Sequence, residues 1–143
     1  MTTGVFDLLH PGHVHMLQEA KALGDELVVV VARDENVRRE KHAPITPEAH
    51  RRDMVAALKP VDKAVLGHHE DYYQIVEEMA PDVFALGFDQ NYDEDKVQAE
   101  FDKRRIDCKV VRLPRFVGDL QGTRSIIEKI AARADEKSLY GGA

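Results

Sequence analysis

The feature that most constrains the fold is the apolar run VVVVA at residues 28–32, inside the segment ELVVVVARD. β-branched residues favour strands, and a run without polar alternation is typical of a strand buried on both faces. Shorter runs of the same kind lie at 64–66, 83–86 and 109–113, and a three-residue run, 1–3, opens the chain. Because sheets covered on both faces are mostly parallel, these runs predict a five-stranded parallel sheet.

Segments with helical periodicity separate the runs, at 13–23, 47–58, 72–79, 93–105 and 123–134. Alternating strands and helices with short connections predict an α/β fold, a Rossmann-like doubly wound five-stranded parallel sheet in three α/β/α layers. Residues 1–134 are assigned to one domain, and the polar segment 135–143 is expected to be a flexible tail or the start of a linker. Ligands of such folds bind at the carboxyl ends of the strands.

Composition excludes several classes of function. Of the 143 residues, 43% are hydrophobic and 32% charged, as in soluble globular proteins, and no apolar run approaches the roughly 18 residues of a membrane span. The net charge of −6 argues against a nucleic-acid partner held by a basic face. Cys108 is the only cysteine, so no internal disulfide is possible and a cytoplasmic location is expected. Neither a nucleic acid nor a membrane is expected as a partner.

The segment HPGH, residues 10–13, places polar groups where the first strand leads into a helix. Pro11 suits the first helical position, which puts His10 at or near the N-cap. His10 and His13 are three residues apart, so both can face the same side of the first turn. Gly12 allows close approach to the backbone, and free N–H groups at a helix start favour an anion. The segment therefore predicts two imidazoles and a helix end directed at one negative group.

Two other interpretations of the histidines stay open. In the first, His10 is an ordinary cap and His13 a partly buried histidine. In the second, His10, His13 and His15 form a metal site, although His15 rotates away from the other two on a helix and no cysteine or carboxylate lies at ligand spacing.

The segment TGVFDLLHPGH resembles the signature of the HxGH nucleotidyltransferases, the cytidylyltransferase-like superfamily. The resemblance extends over nearly the whole chain, because AHRRDMVAALKPVDKAVLG is similar to the second block of this superfamily, ALGFDQ to the third and LPR…GTRSII to the last. The chain is most similar to the archaeal-type FAD synthases, with the glycerol-3-phosphate cytidylyltransferases next. The glycine-rich motifs of other nucleotide-binding folds, G-x-x-x-x-G-K-[ST] and G-x-G-x-x-G, do not occur.

The resemblance implies that an acceptor phosphate attacks the α-phosphorus of a nucleoside triphosphate and releases pyrophosphate. Transfer of AMP from ATP to FMN is favoured over transfer of CMP from CTP to a small phosphate or phosphonate acceptor, such as a glycerol 3-phosphate-like or hydroxyethylphosphonate-like molecule. In this second alternative the chain could also be one domain of a longer enzyme. A nucleotide-binding regulator without catalysis is the alternative from another class. Because the acceptor phosphate is already mostly ionised at neutral pH, no general base is required, and direct transfer without a covalent intermediate is expected.

The same resemblance implies roles for individual residues. Four residues are catalytic candidates. His10 and His13 would contact the triphosphate, and Arg51 matches the arginine of the second block. Lys41 would contact the acceptor or the triphosphate, and its alternative is an ordinary solvated lysine. Thr123 has the type and position of an N-cap for a second anion-binding helix start. Contacts with the nucleotide are predicted at Thr3, Gly4, Val5, Phe6, Asp7, Gly12, Gly87, Asp89, Gln90, Arg115, Gly122, Thr123, Arg124 and Ser125. Mg²⁺ is expected with the triphosphate, no metal site is expected in the protein, and a homodimer is expected.

Overall fold

The computed structural model describes residues 1–40, 42–118 and 122–134 of the chain. The strands are β1 (Thr2–Gly4), β2 (Val28–Val31), β3 (Lys63–Leu66), β4 (Val83–Leu86) and β5 (Lys109–Arg112). The helices are α1 (Pro11–Lys21), α2 (Asp34–Glu40), α3 (Glu48–Ala56), α4 (Gln74–Met79), α5 (Glu94–Arg104) and α6 (Thr123–Arg133). The predicted tail, 135–143, lies outside the described residues.

The five strands form one parallel sheet in the order β3-β2-β1-β4-β5. β1 lies in the middle and pairs with β2 on one side and with β4 on the other. The chain therefore winds outward from β1 in one direction and then, from β4, in the opposite direction. This reversal opens a crevice at the carboxyl ends of β1 and β4, which is where ligands bind in open α/β sheets. The predicted five-stranded parallel sheet is confirmed.

Alternating side chains of β2 show why the sheet is covered on both faces. Val29 and Val31 pack into one apolar cluster with Leu17 of α1 and Val55 of α3. Val30 points to the other face, where a second cluster is built on residues of α4 and α5. Both clusters consist of buried side chains, so the all-valine strand needs no polar face. The three-layer α/β/α arrangement follows.

Helix α2 is an element that the sequence analysis does not predict. It has seven residues, DENVRRE, too few for a clear helical period in the hydrophobic pattern. Its stabilising signals are electrostatic, because Asp34 and Glu35 lie in the first turn and Arg38 and Arg39 in the last. These charges complement the helix dipole.

Among the described residues, the structure contains no helix with the length and hydropathy to cross a membrane.

Candidate active site

The loop that follows β1 is held in an unusual backbone conformation. Phe6 and Leu8 have φ angles of 56° and 52°, the left-handed region that non-glycine residues rarely adopt. This conformation turns the Phe6 ring back over Gly4, so that a β-carbon at Gly4 would lie 2.8 Å from the ring. The Phe6 ring is buried and also lies 5.3 Å from the His13 ring. The GVFD segment therefore needs glycine at position 4, and its strain directs the chain into the HPGH turn.

His10 and His13 form a stacked pair at the start of α1. Their ring centroids are 3.7 Å apart and the ring planes differ by 24°. His10 occupies the N-cap position, yet its side chain makes no capping hydrogen bond. The Nδ1 atoms of both rings are buried and have no hydrogen-bond partner within the described part of the chain. A buried, unpaired polar atom is costly, so these nitrogens are candidates to be completed by a ligand or by a water.

Burial also decides the charge of the pair. It lowers the pKa of His13 to about 4, with the neighbouring His10 acting in the same direction and Asp7 against it. Burial likewise lowers the pKa of His10, and the charge of Asp89 opposes the change. Both imidazoles are therefore neutral at neutral pH in the free protein. A negative ligand placed beside them would raise both pKa values, because it stabilises the protonated forms.

Asp7 belongs to the predicted site, but its carboxylate is used within the protein. It accepts hydrogen bonds from the N–H of Ile45 (2.8 Å) and from the N–H (3.0 Å) and hydroxyl (2.8 Å) of Thr46. Burial acts to raise the pKa of Asp7, but these bonds together hold it below its usual range. Asp7 thus fastens the loop before α3 to the loop after β1. A direct contact with a nucleotide stays a prediction.

Arg51 has a comparable position beneath the site. It is 1% exposed, and its guanidinium donates to the carbonyls of Thr46 (2.9 Å), Val5 (2.5 Å) and Ala32 (2.9 Å) and pairs with Asp34 at 2.5 Å. The side chain therefore links the carboxyl ends of β1 and β2 to α3. The structure gives Arg51 a place among loops that shape the site, and its predicted catalytic contact is not tested. Lys41, the remaining catalytic candidate, lies outside the described residues.

Residues 87–92, here called the β4 loop, form the other wall of the crevice. Gln90 donates from its amide to the carbonyl of Thr3 (2.7 Å) and accepts from the N–H of Gly87 (2.9 Å). A β-carbon at Gly87 would lie 3.1 Å from Sδ of Met16, so glycine allows α1 to approach closely. Asp89 is exposed and acts electrostatically on His10. Gly87, Asp89 and Gln90, all predicted nucleotide contacts, are thus brought to the edge that carries the histidines.

The start of α6 is also brought to this edge, though not as predicted. The N-cap is Gly122, in an extended conformation, and the predicted Thr123 cap is wrong by one residue. The Thr123 hydroxyl donates instead to the carbonyl of Asp7 at 2.5 Å, across 116 positions of sequence. The hydroxyl of Ser125 donates to the carbonyl of Gly122 at 2.7 Å. The C-terminal turn therefore contacts the loop that leads into HPGH.

The two predicted arginines of the C-terminal segment, Arg115 and Arg124, each have a partner within the protein. The Arg124 side chain is 91% exposed and pairs with Glu128 one helical turn away, at 3.0 Å. Arg115 is exposed and lies over the ring of Phe88, 5.7 Å from its centroid. Arg115 thus lies against the β4 loop and Arg124 faces the solvent, and their predicted contacts with the nucleotide stay predictions.

A cavity of about 590 Å³ lies at the carboxyl ends of β1, β2, β3 and β4, on the α4/α5 face of the sheet, and neither His10 nor His13 lines it. The predicted residues Thr3, Gly4 and Val5 form part of its wall, as do Asp89 and Gln90 of the β4 loop. Three tyrosines that the sequence analysis does not select also line it: Tyr72, Tyr73 and Tyr92. The lining is thus mixed: tyrosines and aliphatic side chains lie beside polar residues of the β4 loop and beside Arg33, Asn36, Glu40 and His68.

The tyrosines are held in different ways. The Tyr73 ring packs edge-on against Phe101, with centroids 5.9 Å apart, and the Arg104 guanidinium lies 4.9 Å above it. Tyr72 and Tyr92 are 43% and 46% exposed at the mouth. The Tyr72 hydroxyl donates to the Glu40 carboxylate at 3.0 Å. One tyrosine is thus fixed within the wall, and two present ring surface to a ligand.

The signal that would have found these tyrosines is their position. Tyr72 and Tyr92 follow shortly after β3 and β4, on segments that leave the carboxyl edge of a parallel sheet. Arg112 was missed in the same way, as the last residue of β5 and a charge at the end of the apolar run KVVR. Polar and aromatic residues directly after buried strands are candidates for a site in this fold class.

The geometry does not gather His10, His13 and His15 into a metal site. His15 packs against Phe116, with ring centroids 5.3 Å apart, while the other two histidines stack on each other. Among the described residues, no group of three or more histidine, cysteine, aspartate or glutamate side chains is arranged to hold a metal ion.

Comparisons with known proteins agree with this geometry. Residues 1–137 match the family described as cytidylyltransferase-like. The chain is 58% identical to the FAD synthase of Aciduliprofundum boonei over 137 residues, covering 95% of this chain and 92% of that protein. It is 48% identical to the FAD synthase of Archaeoglobus fulgidus over 144 aligned positions, covering 99% of each. The crystal structure of the lipopolysaccharide core biosynthesis protein from Thermoplasma volcanium superposes with a TM-score of 0.80 at 48% identity, covering 82% of this chain and 96% of that one.

Proposed function

The chain belongs to the cytidylyltransferase-like family, and from this we propose that it is a nucleotidyltransferase that transfers AMP from ATP to FMN, forming FAD and pyrophosphate. The observation that carries the proposal is the presence of two different surfaces at the carboxyl edge of the sheet, both reached from the end of β1. One is the stacked histidine pair, whose buried Nδ1 atoms have no hydrogen-bond partner in the described part of the chain, and the other is a cavity with three tyrosines in its wall. High identity to several FAD synthases over nearly their full length supports the choice of substrates.

The histidine pair suits the triphosphate. An FMN phosphate oxygen attacks the α-phosphorus, the bond from that phosphorus to the bridging oxygen breaks, and pyrophosphate leaves with the electron pair. Negative charge shifts toward the leaving group, and imidazole donors placed there stabilise it. His10 and His13 would supply these donors, and the start of α6 lies close enough to the same loop to share the phosphates. The triphosphate enters as its Mg²⁺ complex, in which the metal offsets part of its charge.

The cavity suits the acceptor, and the predicted nucleotide contacts in its wall, Thr3, Gly4, Val5, Asp89 and Gln90, would form the side that it shares with the nucleotide. Its volume of about 590 Å³ lies in the range of pockets that enclose drug-sized ligands. A glycerol 3-phosphate-like acceptor would leave much of this space and the tyrosine faces uncovered. The isoalloxazine ring of FMN is planar, aromatic and largely apolar, and it can stack on Tyr72 or Tyr92. Size and aromatic lining therefore favour FMN over the small-acceptor alternative.

The test is product formation with paired substrates. The purified chain is incubated with ATP or CTP together with FMN, glycerol 3-phosphate or hydroxyethylphosphonate, and both the nucleotide product and the pyrophosphate are quantified. We expect FAD and pyrophosphate in equal amounts from ATP and FMN. A CDP-linked product from a small acceptor, formed faster than FAD, would contradict the proposal.

A homodimer and a cytoplasmic location belong to the same proposal. Helix α6 exposes Ile127 and Ile130, which a second copy would cover. Light scattering at micromolar concentration tests the assembly, with a monomeric mass as the contradicting result.

The proposed cytoplasmic location is consistent with Cys108. This residue is a buried, free thiol, and burial raises its pKa to about 11.

A further inference from the structure

The β4 loop contributes to both halves of the site described above. Asp89 acts electrostatically on His10, and it also lines the cavity together with Gln90, Asn91 and Tyr92. Gln90 also ties the loop to β1. The loop is thus a shared wall, and its conformation sets where the two substrates lie relative to each other.

One side chain, Arg112, holds this loop from the β5 side. Its Nη1 donates to the carbonyls of Gly87 (2.9 Å) and Gln90 (2.8 Å), and its Nη2 donates to the carbonyl of Tyr92. Its Nε donates to the carboxylate of Glu94 at 2.9 Å. Three carbonyls in a loop of six residues therefore converge on one guanidinium. The side chain is 26% exposed, so these bonds are partly shielded from water.

The position of Arg112 in the sheet makes this contact rigid. Arg112 is the last residue of β5 and is in register with Leu86, the last residue of β4. The N–H of Leu113 donates to the Leu86 carbonyl at 2.8 Å, which continues the strand pairing beyond this register position. The guanidinium thus projects from a paired strand onto a loop that begins one residue after the neighbouring strand.

We infer that Arg112 is a positioning residue for the transfer reaction, fixing the β4 loop so that the nucleotide side and the acceptor side keep the spacing that transfer needs. Only a planar group with several fixed N–H donors can reach these carbonyls and Glu94 together, so lysine, with one nitrogen, is not an equivalent. Misplacement of reacting groups by about 1 Å can cost around 10²-fold in rate. The inference rests on the proposed function, because the two sides are defined by ATP and FMN.

The test compares Arg112→Lys and Arg112→Gln with the unaltered enzyme. We expect kcat/KM for FMN to fall about 10–100-fold, with KM rising for both FMN and ATP and kcat falling as well. FMN binding, followed by flavin fluorescence, should weaken in parallel. A purely structural role would lower the melting temperature and the folded fraction, but it would leave both KM values and the kcat per folded molecule unchanged, and that result would overturn the inference.

Two further variants serve as controls. Glu94→Gln removes the carboxylate but leaves the three carbonyl bonds, so its kinetics should stay within about threefold of wild type, since the Glu94 side chain is 44% exposed and ion pairs with such a partner contribute little. Kinetic losses in Glu94→Gln as large as in Arg112→Lys would contradict the role given to the carbonyls. Asp62→Asn alters a hydrogen-bonded carboxylate at the opposite sheet edge and should leave both KM values unchanged. Failure of the unaltered enzyme to make FAD would instead refute the proposed function, which keeps the two failures distinct.

Discussion

Polar groups at the two ends of the parallel strands, here called the amino edge and the carboxyl edge of the sheet, differ in their hydrogen bonding. At the amino edge, Asp62 accepts from the N–H of Leu27 (2.6 Å) and from Lys21 (2.5 Å), and both charged side chains remain partly exposed to water. At the carboxyl edge, the Nδ1 atoms of His10 and His13 are buried and have no hydrogen-bond partner among the residues that the structure describes. The carboxylate of Asp62 at the amino edge is paired, whereas the Nδ1 atoms at the carboxyl edge lack a partner that a bound ligand would supply. The difference supports the assignment of the functional site to the carboxyl edge.

The largest effect should come from the histidines themselves. We expect His10→Ala and His13→Ala each to reduce kcat about 10²–10³-fold, because each removes a donor that strengthens as pyrophosphate leaves. Steady-state assays of pyrophosphate release give the rates, and circular dichroism checks that the fold survives. Near-normal turnover in both variants would remove the distinction between the two edges.

A smaller effect is expected at the cavity. Tyr92→Leu removes a stacking surface and should raise KM for FMN about tenfold, with little change in KM for ATP. Tyr92→Phe keeps the ring and serves as the matched control, for which we expect a KM close to wild type. If leucine and phenylalanine behave alike, the ring of Tyr92 does not contact the flavin.

The lowered pKa of His13 also predicts that the stability of the protein depends on pH. His13 has a pKa of about 4 in the folded protein against an ordinary value of 6.5, so the unfolded chain binds more protons between these pH values. The contribution of His13 is therefore complete above pH 6.5 and is lost as the pH falls toward 4. Urea unfolding of wild type and His13→Gln across this window should show a shallower loss of stability in the variant. Parallel curves would mean that His13 is not held neutral.

The smallest effect should come from the amino edge. Asp62→Asn keeps the shape of the side chain but weakens its bonds to Lys21 and Leu27. Because these groups are partly exposed, we expect a small fall in melting temperature and unchanged kcat and KM for both substrates. A clear loss of activity in this variant would show that the amino edge is not passive.

The sequence was informative where pattern and physics coincide. The valine run of β2 indicates a strand buried on both faces, and Pro11 and Gly12 indicate the helix start that presents the histidines. Helix α2 was not predicted, because seven residues are too few to show a clear helical period in the hydrophobic pattern. The cap at α6 was misplaced by one residue, because the Thr123 hydroxyl bonds the Asp7 carbonyl, a contact across 116 positions that no local pattern contains.

The roles of charged residues were the least predictable. Arg51 was predicted to contact an anionic substrate and Arg112 was not selected, yet each donates mainly to backbone carbonyls of loops at the carboxyl edge. Which partner an arginine takes depends on tertiary contacts. The tyrosines of the cavity come from separate segments, and their shared surface exists only once β3 and β4 lie in one sheet.

The most direct test of the account is a crystal structure of the enzyme with FMN and a non-hydrolysable ATP analogue bound together. We predict the triphosphate beside His10 and His13, the isoalloxazine ring between β4-loop residues and Tyr72, and the FMN phosphate oxygen about 3–3.5 Å from the α-phosphorus, in line with the leaving oxygen. A flavin ring bound outside the cavity, or a triphosphate away from the histidine pair, would contradict the assignment of both substrates to the carboxyl edge.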